Sequence, residues 1–150
     1  MFFLCSIFAK KSLIRFIHDC FLTFSEADLE RWLIHIATGE GYTVKKLEYN
    51  FVDANTMLLL NQKYLNHSTD TDIITFDYTE AKAVIAEAFI SYETLKENAK
   101  HNSQTIENEL LRLLSHGLLH CLGYNDKTTE EKKQMRFKEE DCINLFHVKH

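Results

Sequence analysis

Apolar and polar residues follow two different periods along the chain, and the changes of period mark the predicted elements. Apolar residues at every second position, as in Leu47, Tyr49 and Phe51, are typical of a strand with one buried face. Apolar residues spaced three and four apart, as in Leu110, Leu114 and their neighbours, indicate a helix. These periods, with β-branched and aromatic residues, predict strands at 13–24, 47–51, 72–78 and 84–90.

Side chains that can cap helices mark where the helical segments begin. Ser25 with Asp28, and Thr128 with Glu131, have the spacing of a capping box. Asp53 is a further N-cap candidate. Helices are predicted to begin at these positions and at Ser91 and Thr105, and they cover 25–38, 53–65, 91–99, 105–122 and 128–146. Strands interleaved with helices predict a mixed α/β (α+β) fold, in which about four strands form a mixed sheet that about five helices cover.

The composition and length are those of an ordinary globular protein with one domain. The chain has 150 residues, 45% of them hydrophobic and 26% charged, with no proline and no repeat, so we expect a single domain spanning 1–150. The apolar segment 1–9 is too short to span a bilayer and has no basic residue before it. We expect it to be a core-packing or extended terminal segment, and we expect no membrane association.

The charge is unusual for a protein that binds nucleic acid, because the formal net charge is -5. Basic residues do cluster locally, and the simplest interpretation of each cluster is a solvated face; the clusters are Lys10, Lys11 and Arg15; Lys45 and Lys46; and Lys127, Lys132, Lys133, Arg136 and Lys138. A bound divalent metal would still provide a positive centre for a phosphodiester.

The four cysteines indicate free thiols in a reducing cytoplasm. Cys5, Cys20, Cys121 and Cys142 form neither a C-x-x-C pair nor a dense framework, so we expect no disulfide-linked partner. Cys121 follows His120 but points about 100° away around a helix, which predicts a packing role and not a ligand.

The candidate chemistry lies at the end of the predicted helix 105–122. His116 and His120 are four residues apart, so both imidazoles project from one face and can bind one metal ion. Gly123 lets the chain reverse, and Asp126 can then return as a third ligand. Three protein ligands with one open position are typical of a catalytic zinc site, although two buried, hydrogen-bonded histidines are the alternative. We predict one Zn²⁺ per chain, with another divalent metal possible.

Gly117 limits the class of metal enzyme. Metalloproteases with an H-E-x-x-H sequence place their catalytic glutamate directly after the first histidine, where this chain has Gly117. Glycine inside a helix costs about 1 kcal/mol relative to alanine. Its presence therefore predicts close approach by another backbone or by a ligand, and its identity removes the peptidase base.

The segment H-G-L-L-H-C-L-G-Y-N-D at 116–126 resembles the signature of the YbeY family, usually written H-G-x-L-H-L-x-G-Y-D-H. The resemblance extends upstream to 60–65 and 71–77, where L-N-Q-K-Y-L and T-D-I-I-T-F-D stand for the family's L-N-x-x-Y-R and T-[DN]-V-L-S-F-P. It places the three metal ligands on His116, His120 and Asp126, the last in place of a histidine. Leu65 replaces a family arginine that is given a substrate role. We expect Tyr64 and Phe76 to be core residues and not base-stacking platforms.

The resemblance implies a metal-dependent, single-strand-specific endoribonuclease, a hydrolase that acts in maturation of the 16S rRNA 3′ end and in ribosome quality control. Its partners would be rRNA and a ribosomal subunit in the cytoplasm. Either an activated water or the ribose 2′-hydroxyl could attack the phosphodiester. The alternatives are a non-catalytic ribosome-assembly factor stabilised by the metal, and a zinc hydrolase of another substrate class. The sequence names no general base. Glu139, Glu140 and Asp141 are candidates only if they fold back near the metal, and we predict instead that all three are carboxylates on a helix surface.

Overall fold

The computed structural model describes residues 12–17, 22–65 and 71–149. Some of the predictions concern residues outside these ranges, namely segment 1–9, Lys10, Lys11, Cys5 and Cys20. The strands are β1 (Ile14–Ile17), β2 (Thr43–Val52), β3 (Ile73–Asp77) and β4 (Ala83–Ser91). The helices are α1 (Glu26–Gly39), α2 (Ala54–Leu60, continued by a π turn at Asn61–Leu65), α3 (Tyr92–His101), α4 (Ile106–Cys121) and α5 (Thr129–Lys149).

The four described strands form one mixed sheet in the order β1-β2-β4-β3. The pairs β1–β2 and β2–β4 are parallel, and β3 runs antiparallel to β4 at one edge. Tyr49 is paired with Ala88, which in turn is paired with Thr75, so these side chains share one face of the sheet. The predicted fold class, a mixed α/β fold with a four-stranded sheet and five helices, is therefore confirmed in the described residues.

Helix α4 lies against that face and is buried on almost every side. Its leucines Leu110, Leu111, Leu113, Leu114, Leu118 and Leu119 are all buried. The Tyr49 hydroxyl donates a hydrogen bond of 2.7 Å to the carbonyl oxygen of Leu114, which fixes the helix to β2. Helix α5 is held to α1 by the Trp32 indole N–H, which donates to the carbonyl oxygen of Cys142 at 2.8 Å. The site at the end of α4 thus has a rigid base.

The predicted caps are present at the helix starts. Ser25 accepts from the N–H of Asp28, and Asp53 accepts from the N–H of Thr56. Thr128 and Glu131 form the complete capping box. The N–H of Glu131 donates to Thr128 Oγ1 at 3.1 Å, and the N–H of Thr128 donates to Glu131 Oε1 at 2.9 Å. These local signals placed the starts of α1, α2 and α5 within one residue.

Two expectations were wrong. Of the described residues in the strand predicted at 13–24, Ile14–Ile17 lie in the sheet, and residues 22–24 are not strand; Phe24 instead packs edge-on against Phe146 at 5.0 Å. Tyr64 is not a core residue, because 52% of it is exposed; it contacts the half-buried Phe76 edge-on at 5.2 Å. In both cases the prediction followed the apolar composition. The position of each segment in the fold determines instead whether it joins the sheet and whether its side chains are buried.

The hairpin between β3 and β4 has no glycine in its turn. Ala81 and Lys82 have φ values of 53° and 60°, and Glu80 and Ala83 form the closing bridge. A two-residue turn with positive φ at both positions matches the twist of the flanking strands, which outweighs the steric cost to side chains. Among the described helices, none is both long and apolar enough to cross a bilayer.

Candidate metal centre

The two histidines of α4 converge at the helix end, as their spacing predicts. His116 and His120 have ring centroids 4.5 Å apart with the planes at 87°. The two Nε2 atoms approach to 2.9 Å. Both rings therefore direct the same ring nitrogen to a common point.

Asp126 reaches this point because α4 ends at a positive-φ glycine. Gly123 has φ of 99°, and the N–H of Tyr124 donates back to the carbonyl oxygen of Leu119 at 3.0 Å. This αL position reverses the chain, as the sequence predicts. Asp126 Oδ2 then lies 3.4 Å from His116 Nε2 and 3.5 Å from His120 Nε2. The structure brings the three predicted ligands together.

The remote nitrogens of both rings are occupied, which fixes the tautomers. His120 Nδ1 lies 2.9 Å from the carbonyl oxygen of Tyr124, and His116 Nδ1 lies 2.5 Å from Glu139 Oε2. A carbonyl and an ionised carboxylate only accept hydrogen bonds, so each Nδ1 carries the proton and donates. In the neutral rings, both Nε2 atoms are then left with lone pairs.

Three lone-pair atoms facing one another at 2.9, 3.4 and 3.5 Å repel unless a metal ion, or a proton on one Nε2, lies between them. Donors about 2.0–2.1 Å from a tetrahedral zinc are about 3.3 Å apart; the two separations to Asp126 are close to this value, and the separation between the two Nε2 atoms is shorter. Two imidazoles and a carboxylate are also a known catalytic zinc ligand class. In the described part of the chain, no fourth His, Cys, Asp or Glu joins this group. The residues present fit a divalent metal with an open position.

Glu139 belongs to the site, although the sequence predicted otherwise. It was predicted to be a surface carboxylate, but its side chain is only 4% exposed and it binds His116 from α5. A carboxylate behind a metal-binding histidine orients the ring and raises its basicity. The available signal was its place at helical spacing among Met135, Cys142 and Phe146, on the buried stripe of α5.

Arg112 connects this carboxylate to two others. Its guanidinium lies 2.6 Å from Glu109, 3.2 Å from Asp72 and 3.7 Å from Glu139. Burial alone would lower the pKa of Arg112, but the hydrogen bond with Glu109 and the charges of all three carboxylates raise it. Three carboxylates around one guanidinium leave an excess of negative charge beside His116. This excess favours a cation on the other side of the ring.

The site opens to solvent on the side of Asp126. The side chains of His116, His120 and Asp126 are 16%, 30% and 41% exposed. His116 and Asp126 line a cleft of about 340 Å³, whose other lining residues are Asp72, Arg112, Lys132, Met135, Arg136 and Glu139. The two other candidate bases lie elsewhere: Glu140 lines a neighbouring cavity, and Asp141 lines one beside Lys138.

Gly117 is explained by packing against the sheet, not by a backbone or a ligand as predicted. A Cβ atom at this position would lie 3.0 Å from Ile73 Cδ1 and 3.4 Å from Thr75 Oγ1. These side chains project from β3 against the helix. The glycine thus lets α4 approach the sheet closely.

Cys121 has the packing role that its direction predicts. It is buried, and burial together with the neighbouring Asp77 raises the pKa of its thiol to about 12. The thiol is therefore protonated at neutral pH and is a poor metal ligand. Cys142 is also buried and free.

The family model and the named relatives that this chain matches carry the same description. The family model described as endoribonuclease YbeY matches residues 19–147. Proteins named endoribonuclease YbeY include one from Cytophaga hutchinsonii, 44% identical over 79% of this chain and 84% of its own, and one from Christiangramia forsetii, 37% identical over 89% and 93%. The solution structure of TM1509 from Thermotoga maritima has a TM-score of 0.66 and 26% identity, covering 91% of this chain and 90% of that one.

Proposed function

The chain belongs to the endoribonuclease YbeY family, and on that premise we propose that it is a metal-dependent endoribonuclease that cleaves single-stranded RNA. We further propose that its substrate is precursor rRNA at the 16S 3′ end, in maturation and in ribosome quality control. Its partners would then be rRNA and a ribosomal subunit, met in the cytoplasm. The names of the relatives support RNA cleavage. The rRNA substrate, the ribosomal partner and the cytoplasmic location are part of our proposal.

One observation carries the proposal of metal dependence. Two Nε2 atoms and one carboxylate oxygen converge within 3.5 Å, while both Nδ1 atoms donate elsewhere. We propose that His116, His120 and Asp126 hold one Zn²⁺ per chain. A bound zinc would act as a Lewis acid, lowering the pKa of water or neutralising charge on a phosphodiester.

The protein's own residues then orient this centre. The Nδ1–H of His116 is held by Glu139, and that of His120 is held by the Tyr124 carbonyl, so neither ring can rotate away from the cleft. Both oxygens of Glu139 are engaged, one by His116 and one by Arg112 at 3.7 Å. Glu139 is therefore a positioning residue, and it is not free to serve as general base.

The test is to measure metal content and RNA cleavage on the same preparations. Purified protein should contain about one zinc per chain and should cleave a labelled single-stranded RNA. His116→Ala, His120→Ala and Asp126→Ala should each lose zinc and reduce cleavage to background. His101→Ala, at an exposed position at the end of α3, is the matched control and should retain both.

Three outcomes would contradict the proposal. Cleavage that persists in the metal-stripped H116A/H120A variant would exclude metal dependence. A protein that binds zinc, melts at a lower temperature without it and binds RNA without cleaving it would be a non-catalytic assembly factor. Turnover of peptides would indicate a different hydrolase, although Gly117 leaves no carboxylate at the position that H-E-x-x-H peptidases use.

A further inference from the structure

One wall of the cleft beside the three candidate ligands carries positive charge that is not neutralised within the described protein. This wall is a stripe of α5 formed by Lys132, Met135, Arg136 and Glu139. Met135 and Glu139 are buried, and Lys132 and Arg136 are exposed at its solvent side. Residues four apart on a helix are neighbours, so the two cations lie together.

The two cations differ from three other basic residues of α4 and α5. Lys138 pairs with Glu40 at 3.1 Å, Lys133 lies 3.9 Å from Glu130, and Arg112 faces three carboxylates. The side chains of Lys132 and Arg136 form no ion pair or hydrogen bond with another described residue. In a chain of net charge -5, two unpaired cations at the rim of one cleft require an explanation.

The carboxylates that face the same cleft are already engaged. Asp72 binds Arg112, Glu139 binds His116 and Arg112, and Asp126 faces the two imidazoles. An anion that enters the cleft therefore meets Lys132 and Arg136 as its available partners. A guanidinium binds phosphate through two parallel hydrogen bonds, and a lysine ammonium binds it as a point charge.

We propose that Lys132 and Arg136 form a phosphate-binding subsite that holds the RNA backbone beside the metal centre. This inference depends on the proposed function for the identity of its ligand, a phosphodiester of single-stranded RNA. The subsite holds the strand next to His116 and Asp126, and it lets a protein of acidic overall charge bind a polyanion locally. Lys132 and Arg136 contribute binding and positioning, and neither touches the candidate metal ligands.

The experiment compares two charge-matched variants of α5. K132A/R136A removes the proposed subsite, while K133A/K149A removes two charges from exposed positions of the same helix that do not line the cleft. The binding probe is a short single-stranded 2′-O-methyl oligoribonucleotide, titrated by fluorescence anisotropy at a series of salt concentrations. Cleavage of unmodified RNA of the same sequence gives kcat and KM.

K132A/R136A should bind the oligonucleotide roughly tenfold more weakly for each cation removed, because a charged group that binds phosphate is replaced by a methyl group. The slope of log affinity against log salt should fall by about 0.7 for each phosphate that the variant no longer neutralises. In cleavage, KM should rise while kcat is largely retained, and Arg136→Lys should recover part of the affinity. K133A/K149A should resemble the wild type, and all variants should melt within a few degrees of it because these side chains are exposed.

Identical affinity and salt slope for the two double variants would overturn the subsite, as would a wild-type protein that does not bind the oligonucleotide at all. Failure of the proposed function has a different result. A wild-type protein that binds through Lys132 and Arg136 but does not cleave RNA retains the subsite and loses the nuclease. One that cleaves RNA equally well with and without the two cations loses only the subsite.

Discussion

The two histidines of the candidate metal centre are held in different ways. His120 donates to the carbonyl oxygen of Tyr124, four residues later in the chain, and Asp126 follows two residues after that. His116 donates to Glu139, which is 23 residues away on another helix and is bound in turn by Arg112. One half of the site is local in sequence, and the other depends on how α5 packs against α4.

This difference separates what substitutions can change. A main-chain carbonyl remains in place when the side chain of Tyr124 is altered, so the local half is protected against single substitutions. The support of His116 is a buried carboxylate, and one substitution removes it. Metal affinity should therefore be more sensitive to changes on α5 than to changes in the 123–126 loop side chains that are not ligands.

Among residues other than the three proposed ligands, Glu139→Ala has the largest expected effect. The N–H of His116 would lose its acceptor, and we expect zinc affinity to fall by about 10- to 100-fold. Glu139→Gln retains an oxygen acceptor and should lose less. Tyr124→Phe is the control from the local half, because it removes only the hydroxyl that donates to Glu40 at 2.8 Å. Competition with a chromogenic chelator measures the affinities.

If Tyr124→Phe weakens zinc binding as much as Glu139→Ala does, the two halves of the site do not differ in their sensitivity to substitution. Unchanged affinity in a folded Glu139→Ala protein would show that α4 alone orients His116. Circular dichroism spectra of the metal-free variants distinguish loss of orientation from loss of folding.

The same division explains which parts the sequence could predict. The i,i+4 histidines, the reversal at Gly123 and the return of Asp126 all lie within eleven residues, so helix geometry and one αL glycine were sufficient. The capped starts of α1, α2 and α5 are local in the same way. Glu139 carries a signal of its own, a carboxylate on an apolar stripe, but its partner is determined only by the packing of α5 on α4.

Two misassigned features have the same cause. Gly117 indicated a close approach, but Ile73 and Thr75 come from a strand more than forty residues earlier, and no local pattern identifies them. Tyr64 is exposed because its π turn lies at the edge of the sheet beside Phe76. Sequence periods indicate which side chains can be buried, and tertiary packing decides which ones are.

A second prediction concerns the packing of α4 against the sheet at Gly117. Gly117→Ala gains about 1 kcal/mol of helix propensity, but its Cβ would lie 3.0 Å from Ile73 Cδ1. Overpacking of this kind costs about 1–3 kcal/mol, so we expect a net loss of about 1 kcal/mol. Ile73→Val removes the clashing atom, and in that background Gly117→Ala should be neutral or stabilising.

Chemical denaturation of the two single variants and the double variant measures the coupling. A Gly117→Ala protein more stable than the wild type would show that Ile73 moves aside without cost. The helix would then not depend on the glycine for its distance from the sheet.

The smallest expected effect concerns a long-range contact of the local half, between Tyr124 and Glu40. Glu40 accepts from the Tyr124 hydroxyl at 2.8 Å and from Lys138 Nζ at 3.1 Å. Partial burial alone would raise the pKa of the Glu40 carboxyl, but these two hydrogen bonds and the charge of Lys138 lower it below its usual value of 4.5. Folding therefore favours the ionised carboxylate.

The sign of the pH dependence follows from that lowered pKa. The contribution of Glu40 is complete above the unfolded pKa near 4.5 and is lost as the pH falls through the lower folded value. Since the pair is partly exposed, its worth is below about 1 kcal/mol, or about 2–4 °C in Tm. Glu40→Gln should thus melt slightly below the wild type at pH 7, and the gap should close under acid. A gap that is constant from neutral to acid pH would mean that the charge of Glu40 contributes nothing to holding Tyr124, and that the loop is fixed by the local chain reversal alone.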